Sequence, residues 1–192
     1  MKRILCFGDS NTWGFAPKDG YRFDENTRWT GLVQKALPQY TIIEEGLNGR
    51  TALWDDPIEG YKNGRDYLIP CLASQSPLDL VILMLGTNDL LQGRSLEQAT
   101  ERLERFLSVI SMDRSKILLI APPPVTLGAW VPNPQLIEDS RTFAQLCQVL
   151  AERLGIRFAD AGKWDIPLAY DGVHFTEQGH KAFAAGLLEE LK

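Results

Sequence analysis

The sequence predicts an α/β sandwich built on parallel strands, and two observations carry this prediction. Three short apolar runs, rich in β-branched residues and leucine, end abruptly at small or turn-forming residues; they span residues 4–7, 80–85 and 117–120. Runs of this kind are typical of parallel strands buried on both faces. Segments with helical periodicity lie between them, and alternating strands and helices are the pattern of α/β folds.

Weaker signals complete the predicted elements. Residues 41–45 and 157–160 lie between helical segments, where the alternation requires strands, so the predicted sheet has five strands. Helices are predicted at residues 30–37, 95–110, 137–154 and 176–191. The helix at 95–110 has the clearest pattern, because its apolar residues share one face behind a capping box that begins at Ser95. Thr176 is the expected cap of the last helix.

Length and composition favour a single domain spanning residues 1–192. The chain is 44% hydrophobic and 23% charged, which excludes collagen-like and wholly disordered proteins. Its net charge of −5 gives no overall basic field to attract nucleic acid or an anionic membrane. The apolar run at 80–85 is too short to cross a bilayer. We therefore expect neither nucleic acid nor membrane as a partner.

The cysteines and the amino terminus indicate the compartment. Cys6, Cys71 and Cys147 form no CxxC pair, so neither a disulfide framework nor a metal site is indicated. The amino terminus reaches Gly8 after a short apolar segment, which is too brief for a secretory signal peptide. We expect a cytoplasmic protein with reduced thiols.

Ser10 is the candidate nucleophile. The first predicted strand ends in Gly8-Asp9-Ser10, so the serine follows the carboxyl end of a buried strand, where ligands bind in open α/β sheets. The alternative is that Asp9 or Ser10 only caps the next helix. Serine is a weak nucleophile at neutral pH and needs an adjacent base.

One of the two histidines in the chain is placed to be that base. His174 precedes the last predicted helix and follows Asp171 by three residues. This spacing lets the carboxylate fold back onto one ring nitrogen while the other nitrogen faces the serine. The alternative is a free histidine in a loop. His180 lies inside the predicted terminal helix without an obvious acidic neighbour, and we expect it to be structural or solvated.

Acyl transfer through a serine also requires donors for the oxyanion. Asn88 follows the strand at 80–85 and offers a side-chain amide, while Gly49 follows the second strand and offers a backbone N–H. Each could instead be an ordinary turn residue. These segments all lie at one predicted edge of the sheet, and together they supply the roles of an acyl-transfer site.

Four blocks occur in order along the chain: Gly8-Asp9-Ser10, Gly49, Gly86-Thr87-Asn88-Asp89 and Asp171-Gly172-Val173-His174-Phe175. Their order and spacing resemble those of the GDSL or SGNH hydrolase superfamily, and the strings at 3–10, 44–47 and 80–89 are similar to its arylesterase and acyltransferase branch. The resemblance implies a three-layer α/β/α sandwich with a parallel five-stranded sheet of flavodoxin-like order. It implies no metal and no organic cofactor.

The resemblance also implies a role for each site residue. Ser10 is the nucleophile, His174 is the general base and then the acid, and Asp171 orients the histidine. The oxyanion donors are the backbone N–H groups of Ser10 and Gly49 and the side-chain amide of Asn88. Relatives in this branch assemble into closed oligomers, so a homo-oligomer is a further hypothesis.

The expected substrate is a small ester, because no lid or large apolar insertion is visible that could bury a long acyl chain. We expect four residues to contact this ester. Asp9 and Trp13 lie beside the nucleophile, and Trp54 and Val125 lie on other loops that follow strand ends at the same edge of the sheet, which we call the rim. Leu127 and Trp130 lie on the proline-rich rim segment at 122–134. The function predicted is a serine esterase for short-chain acyl or aryl esters that can also transfer the acyl group to alcohols.

Two other functions stay open. A carbohydrate deacetylase uses the same catalytic residues, and Arg50, Trp54 and Trp130 would suit a sugar. A flavodoxin-like module that binds a phosphorylated ligand is the non-catalytic alternative. The chain has neither a GxxxxGK[ST] nor a GxGxxG motif, and Asp9 would repel a phosphate. No G-x-S-x-G elbow occurs, which argues against the α/β-hydrolase fold.

Overall fold

Five parallel strands form one sheet in the order β2-β1-β3-β4-β5, in a computed structural model that describes residues 2–54 and 58–192. The strands are β1 (Lys2–Gly8), β2 (Tyr40–Gly46), β3 (Leu80–Met84), β4 (Ile117–Ala121) and β5 (Arg157–Asp160). This is the flavodoxin-like order, in which the connection direction reverses between β1 and β3. The predicted five-stranded parallel sheet and its implied order are confirmed.

Seven α-helices are found in the part of the chain that the structure describes. They are α1 (Ser10–Trp13), α2 (Trp29–Ala36), α3 (Gly64–Gln75), α4 (Thr87–Leu91), α5 (Leu96–Ser108), α6 (Pro134–Leu154) and α7 (Glu177–Glu190). Single turns of 3₁₀ helix lie at Gly60–Lys62, Arg114–Lys116 and Ala161–Lys163. The helices predicted at 30–37, 95–110, 137–154 and 176–191 correspond to α2, α5, α6 and α7.

The sheet is covered on both faces because its strands are apolar on both faces. Successive side chains of a strand point in opposite directions. Leu5 and Phe7 of β1 therefore pack in one core cluster with α3, α5 and α6. Ile4 and Cys6 pack in a second cluster with α2 and α7. These two buried clusters produce the three-layer sandwich.

Local chemistry explains where the predicted helices begin. The side chains of Ser95 and Gln98 exchange hydrogen bonds with each other's backbone N–H groups, both at 3.2 Å, which completes the capping box of α5. Thr176 accepts from the N–H of Gly179 at 3.0 Å and caps α7. Helix α6 begins earlier than predicted, because proline suits the first turn of a helix and Asn133 caps it.

Helix α3 is not among the predicted elements, because its residues follow a rim loop and no helix was expected there. The helix buries only Gly64, Leu68 and Cys71, and it contains Pro70, so it shows little amphipathic periodicity. Helices α1 and α4 have only four and five residues, which is too short for a periodic signal. In the described parts of the chain, no helix combines the length and the apolar character needed to cross a membrane.

Candidate active site

Ser10 is positioned by a sharp turn between β1 and α1. Gly8 ends the strand, and a Cβ atom there would come within 2.1 Å of the Thr12 hydroxyl oxygen, so the turn requires glycine. Asp9 caps α1 by accepting the N–H of Asn11 at 3.0 Å. Ser10 is the first residue of α1, so its N–H has no hydrogen-bond acceptor within the helix. Its hydroxyl and N–H therefore both lie at the carboxyl end of β1, between β2 and β3 in the sheet.

Asp171 and His174 lie on the loop that leads into α7. The Oδ1 atom of Asp171 accepts the N–H groups of Val173 and His174, both at 2.9 Å, which folds the loop into a compact turn. Gly172 occupies the left-handed region at φ 81° and allows that turn. The loop thereby presents the Asp171 carboxylate to the His174 ring, as the three-residue spacing predicts.

The structure brings the three predicted triad residues together in one hydrogen-bonded chain. The distance from Ser10 Oγ to His174 Nε2 is 2.9 Å, and the distance from His174 Nδ1 to Asp171 Oδ2 is 2.7 Å. Ser10 is 6% exposed, His174 2% and Asp171 1%. Burial lowers the pKa of His174, and the hydrogen bond and charge of Asp171 offset part of this decrease. The imidazole is thus kept neutral and able to accept the serine proton at neutral pH.

The loop after β2 meets α4 beside Ser10. Gly49 has φ 73°, a conformation that favours glycine. The side-chain amide of Asn88 donates to the carbonyl of Arg50 at 3.0 Å, and this bond uses one of its two hydrogens. The carboxylate of Asp89 accepts the N–H of Ala52 at 3.0 Å. These two bonds hold Gly49 and Asn88, the predicted oxyanion donors, on one rigid loop–helix junction.

Two buried carboxylates lie under this junction. Burial raises the pKa of Asp9 to about 7 and that of Asp89 to about 6. The nearby guanidinium groups of Arg50 and Arg102 act in the opposite direction and favour the ionised forms. Arg102 Nη1 lies 3.8 Å from Asp89 Oδ1. Neither carboxylate belongs to the Ser10–His174–Asp171 chain.

Arg50 is a buried cation that joins the ends of two strands. Its guanidinium donates from Nη1 to the carbonyl of Gly8 at 3.0 Å and to that of Glu45. It also lies 4.1 Å from the ring centroid of Phe7 and 5.3 Å from that of Tyr67. Burial lowers its pKa to about 10, which leaves it protonated at neutral pH. The expectation that Arg50 offers a surface for sugars is wrong, because its side chain is buried.

The four residues expected to contact substrate fall into two groups. Trp13 and Trp54 are half-buried at the rim, where each lies beside the guanidinium of an arginine. Asp9 and Val125 are in the interior, at 2% and 4% exposure. Asp9 is turned inward by its capping bond, and the Val125 side chain packs in a small apolar cluster below the rim. The structure therefore places Asp9 and Val125 beneath the rim rather than on its surface.

Two aromatic rings flank the catalytic histidine. The ring centroid of Phe15 lies 4.5 Å from that of His174, and the Trp130 centroid lies 4.9 Å away in an edge-on arrangement. The N–H of Trp130 donates to the carbonyl of Asp171 at 3.0 Å, which ties the proline-rich loop to the histidine loop. Trp130 is among the residues predicted to lie on the rim, whereas Phe15 is not. The sequence signal that could have indicated Phe15 is its position in a rim loop shortly after the nucleophile.

His180 lies in α7, away from the Ser10–His174–Asp171 chain. It is fully buried, and its Nδ1 accepts the N–H of Trp29 at 3.3 Å. This agrees with the structural role expected of it. In residues 2–54 and 58–192, no group of three or more His, Cys, Asp or Glu side chains could hold a metal ion.

The fold and the site together define a carboxylic-ester hydrolase of the acylhydrolase class. The model of the GDSL-like lipase/acylhydrolase family matches residues 6–182. The chain belongs to this family, which confirms the resemblance identified from the four blocks. No match was found among curated proteins.

Solved structures with the same fold include two kinds of esterase. The aryl esterase of M. smegmatis is 36% identical, with a TM-score of 0.85 over 100% of this chain and 98% of that chain. Est24, a carbohydrate acetylesterase from Sinorhizobium meliloti, is 30% identical, with a TM-score of 0.88 over 100% and 98%. A carbohydrate acetylesterase family member from the same organism is 32% identical, with a TM-score of 0.89 over 100% and 97%.

Proposed function

We propose that the protein is a serine esterase that cleaves small aryl or alkyl esters of short-chain acids through an acyl-enzyme on Ser10. The observation that carries this proposal is the chain of hydrogen bonds from Ser10 Oγ through His174 to Asp171, at 2.9 and 2.7 Å. This is the geometry in which an imidazole can remove the serine proton while a carboxylate fixes its tautomer.

The proposed reaction has two halves. Ser10 Oγ attacks the ester carbonyl as its proton moves to His174 Nε2, and the Asp171 carboxylate stabilises the imidazolium. The oxyanion accepts from the N–H groups of Ser10 and Gly49 and from the amide of Asn88. The imidazolium then protonates the leaving alcohol. In the second half, water or another alcohol attacks the acyl-enzyme with His174 again as base, and Ser10 is regenerated.

Aromatic rings beside the histidine support an aryl leaving group. The leaving oxygen takes its proton from His174 Nε2, so the alcohol part of the substrate passes next to the rings that flank this histidine. Trp130 is 52% exposed and lies 4.9 Å from the imidazole. Ring stacking favours an aromatic alcohol by about 0.5–1.5 kcal/mol beyond the area that it buries.

The small space beside the proposed oxyanion donor supports a short acyl group. The space behind Thr87, next to the proposed oxyanion donor Asn88, is about 10 Å³. Its lining is mostly apolar, with Thr87 and Ser140 as the polar residues. It holds no more than about one water molecule. A groove of about 600 Å³ lies among Lys2, Tyr40 and Leu80 at the amino ends of the strands, on the opposite edge of the sheet from Ser10.

Carbohydrate acetylester hydrolysis is the second candidate. Two of the similar solved structures are described as carbohydrate acetylesterases. Trp130 and Tyr170, which are 52% and 67% exposed, offer aromatic faces of the kind that sugars contact. Comparing the rates on phenyl acetate and on acetylated xylose separates the two candidates. A kcat/KM at least tenfold higher for the sugar ester would replace the aryl ester proposal.

The nucleophile is tested by labelling with a fluorophosphonate probe. We expect the wild type and the Ser95→Ala variant to be labelled, and the Ser10→Ala variant to be unlabelled. Ser95, the N-cap of α5, is the serine control. Labelling of Ser10→Ala would contradict the mechanism.

The acyl preference is tested with p-nitrophenyl acetate, butyrate and octanoate, and a fastest rate on octanoate would contradict the proposed short-chain substrate. Ester formation from benzyl alcohol in water measures acyl transfer.

A further inference from the structure

Asn11 links the nucleophile turn to the histidine loop. It follows Ser10 directly and is 5% exposed. Its Nδ2 donates to the carbonyl of Val173 at 3.1 Å, and its Oδ1 accepts the N–H of Phe175 at 2.9 Å. One planar amide therefore pairs with the residue before His174 and with the residue after it.

The backbone of Asn11 is itself held in place. Its N–H donates to the Asp9 carboxylate at 3.0 Å, and its carbonyl accepts the indole N–H of Trp29 at 3.0 Å. The side chain is thus anchored to the same turn that carries Ser10. A donor and an acceptor on one rigid amide set both the distance and the rotation of the backbone that they pair with.

Asp171 cannot supply this constraint. It hydrogen-bonds His174 from three residues away on the same loop, so the two side chains move together when that loop moves. Asp171 orients the ring within the loop, whereas the separation between His174 Nε2 and Ser10 Oγ depends on contacts between the loop and the nucleophile turn. Asn11 makes two buried hydrogen bonds across that gap.

We propose that Asn11 is a positioning residue that keeps His174 within reach of Ser10 and closes the histidine loop to water. This inference rests on the proposed function. A misplacement of about 1 Å can lower a rate about 10²-fold, because proton transfer depends steeply on geometry. Loss of the amide also leaves the Val173 carbonyl and the Phe175 N–H without partners, which draws water to the histidine.

The test compares Asn11→Leu, which removes both hydrogen bonds at nearly constant size, with Asn11→Asp, which keeps an acceptor for Phe175 but sets a carboxylate against the Val173 carbonyl. Ser95→Ala is the control, because it removes the N-cap of α5 and leaves the hydrogen bonds of Asn11 and of the Ser10–His174–Asp171 chain in place. We measure kcat and KM for p-nitrophenyl acetate, the pH dependence of kcat/KM, and active-site concentration by fluorophosphonate stoichiometry, so that kcat refers to folded, labelled protein.

We expect both Asn11 variants to lose about 10- to 100-fold in kcat per labelled site, with KM changed less than threefold. In Asn11→Leu, the acid limb of kcat/KM moves to higher pH, because hydration raises the pKa of His174 toward its ordinary value. Ser95→Ala retains the wild-type kcat per site.

A purely structural role would lower the labelled fraction and leave kcat per site and the acid limb unchanged, and this result overturns the inference. If Asn11→Leu does not fold, a kcat per site within twofold of wild type in Asn11→Asp overturns it. A wild type without esterase activity or labelling contradicts the proposed function instead, so the two failures are distinguishable.

Discussion

The side-chain amide of Asn88 donates a hydrogen bond to the backbone carbonyl of Arg50 at 3.0 Å. Arg50 follows Gly49, so this bond joins the two predicted oxyanion donors that lie outside the nucleophile turn. The bond restrains the rotamer of Asn88 and leaves its second amide hydrogen available for the proposed role of oxyanion donor. Preorganised donors of this kind stabilise charge in the transition state without having to reorient during the reaction.

Asn88→Ala is therefore expected to lower kcat by about 10²–10³, the usual cost of deleting one oxyanion donor. KM changes less, because the donor acts mainly on charge that develops in the transition state. Steady-state kinetics on p-nitrophenyl acetate measure both constants, with Asn133→Ala as an exposed asparagine control at the cap of α6. A wild-type kcat in Asn88→Ala would remove this residue from the mechanism.

Asp171→Asn tests the orienting role of the carboxylate. In the wild type, burial holds the pKa of His174 below its ordinary value of 6.5. The base must be neutral to act, so kcat/KM decreases as pH falls through that lowered pKa, and the acid limb lies below pH 6.5.

Replacing Asp171 by Asn removes the hydrogen bond and the charge that raise the pKa of His174 and leaves the effect of burial, so the acid limb moves to still lower pH. The kcat decreases by about 10⁴, because the amide favours the wrong tautomer of the imidazole. Profiles of kcat/KM between pH 4 and 9 check both effects. Full activity of Asp171→Asn would show that another group orients the histidine.

The strands of the core could be predicted because the apolar residues that mark each strand are consecutive in the sequence. Leu80–Met84 and Ile117–Ala121 are buried along their whole length, and short apolar runs between helical segments are typical of strands in a parallel sheet. Helix α3 could not be predicted, since only three of its residues are buried, one of them a glycine, and it contains a proline, so it has no clear apolar face.

The triad could also be predicted, because Asp171 and His174 are close in sequence and Ser10 follows a recognisable strand. The positions of Phe15 and Asn11 could not. The Asn11 carboxamide contacts Val173 across 162 positions of sequence, and no local pattern encodes such a contact. Asp9 and Val125 show the converse, since being close to the rim in sequence does not decide whether a side chain points outward or into the core.

Arg50→Met is expected to lower the free energy of unfolding by about 2–3 kcal/mol. The substitution keeps the length of the side chain but removes charge-assisted hydrogen bonds to the Gly8 and Glu45 carbonyls and the cation over Phe7. The kcat also decreases, because the Arg50 side chain anchors the loop whose backbone carbonyl at residue 50 holds Asn88. Urea unfolding measures the stability.

Arg141→Met replaces an exposed arginine paired with Glu138. It is the control and changes stability by less than about 1 kcal/mol. A stability loss in Arg50→Met no larger than in this control would show that Arg50 does not brace the strand ends.

His180 makes the stability of the fold depend on pH on the acid side. Burial lowers its pKa to about 3, and the positive charge of Arg28 acts in the same direction. An unfolded histidine binds a proton below about pH 6.5, whereas folded His180 stays neutral, so the unfolded state binds more protons. The free energy of unfolding therefore decreases as pH falls from about 6.5 toward 3, by up to about 1.4 kcal/mol per pH unit from this group.

His180→Asn separates this contribution from the others. The asparagine oxygen can accept the Trp29 N–H that His180 Nδ1 accepts now, but the amide does not titrate. The smaller side chain lowers stability by an amount that is the same at every pH, and the decrease between pH 6.5 and 4.5 becomes shallower. His174→Asn, which removes the other buried histidine, is the matched comparison and retains the His180 contribution. Urea unfolding at four pH values in this window measures the slope of the free energy of unfolding against pH.

Equal slopes for the wild type and His180→Asn would mean that His180 is protonated in the folded protein. Its packing against Phe23 and Phe175 would then have to accommodate a cation.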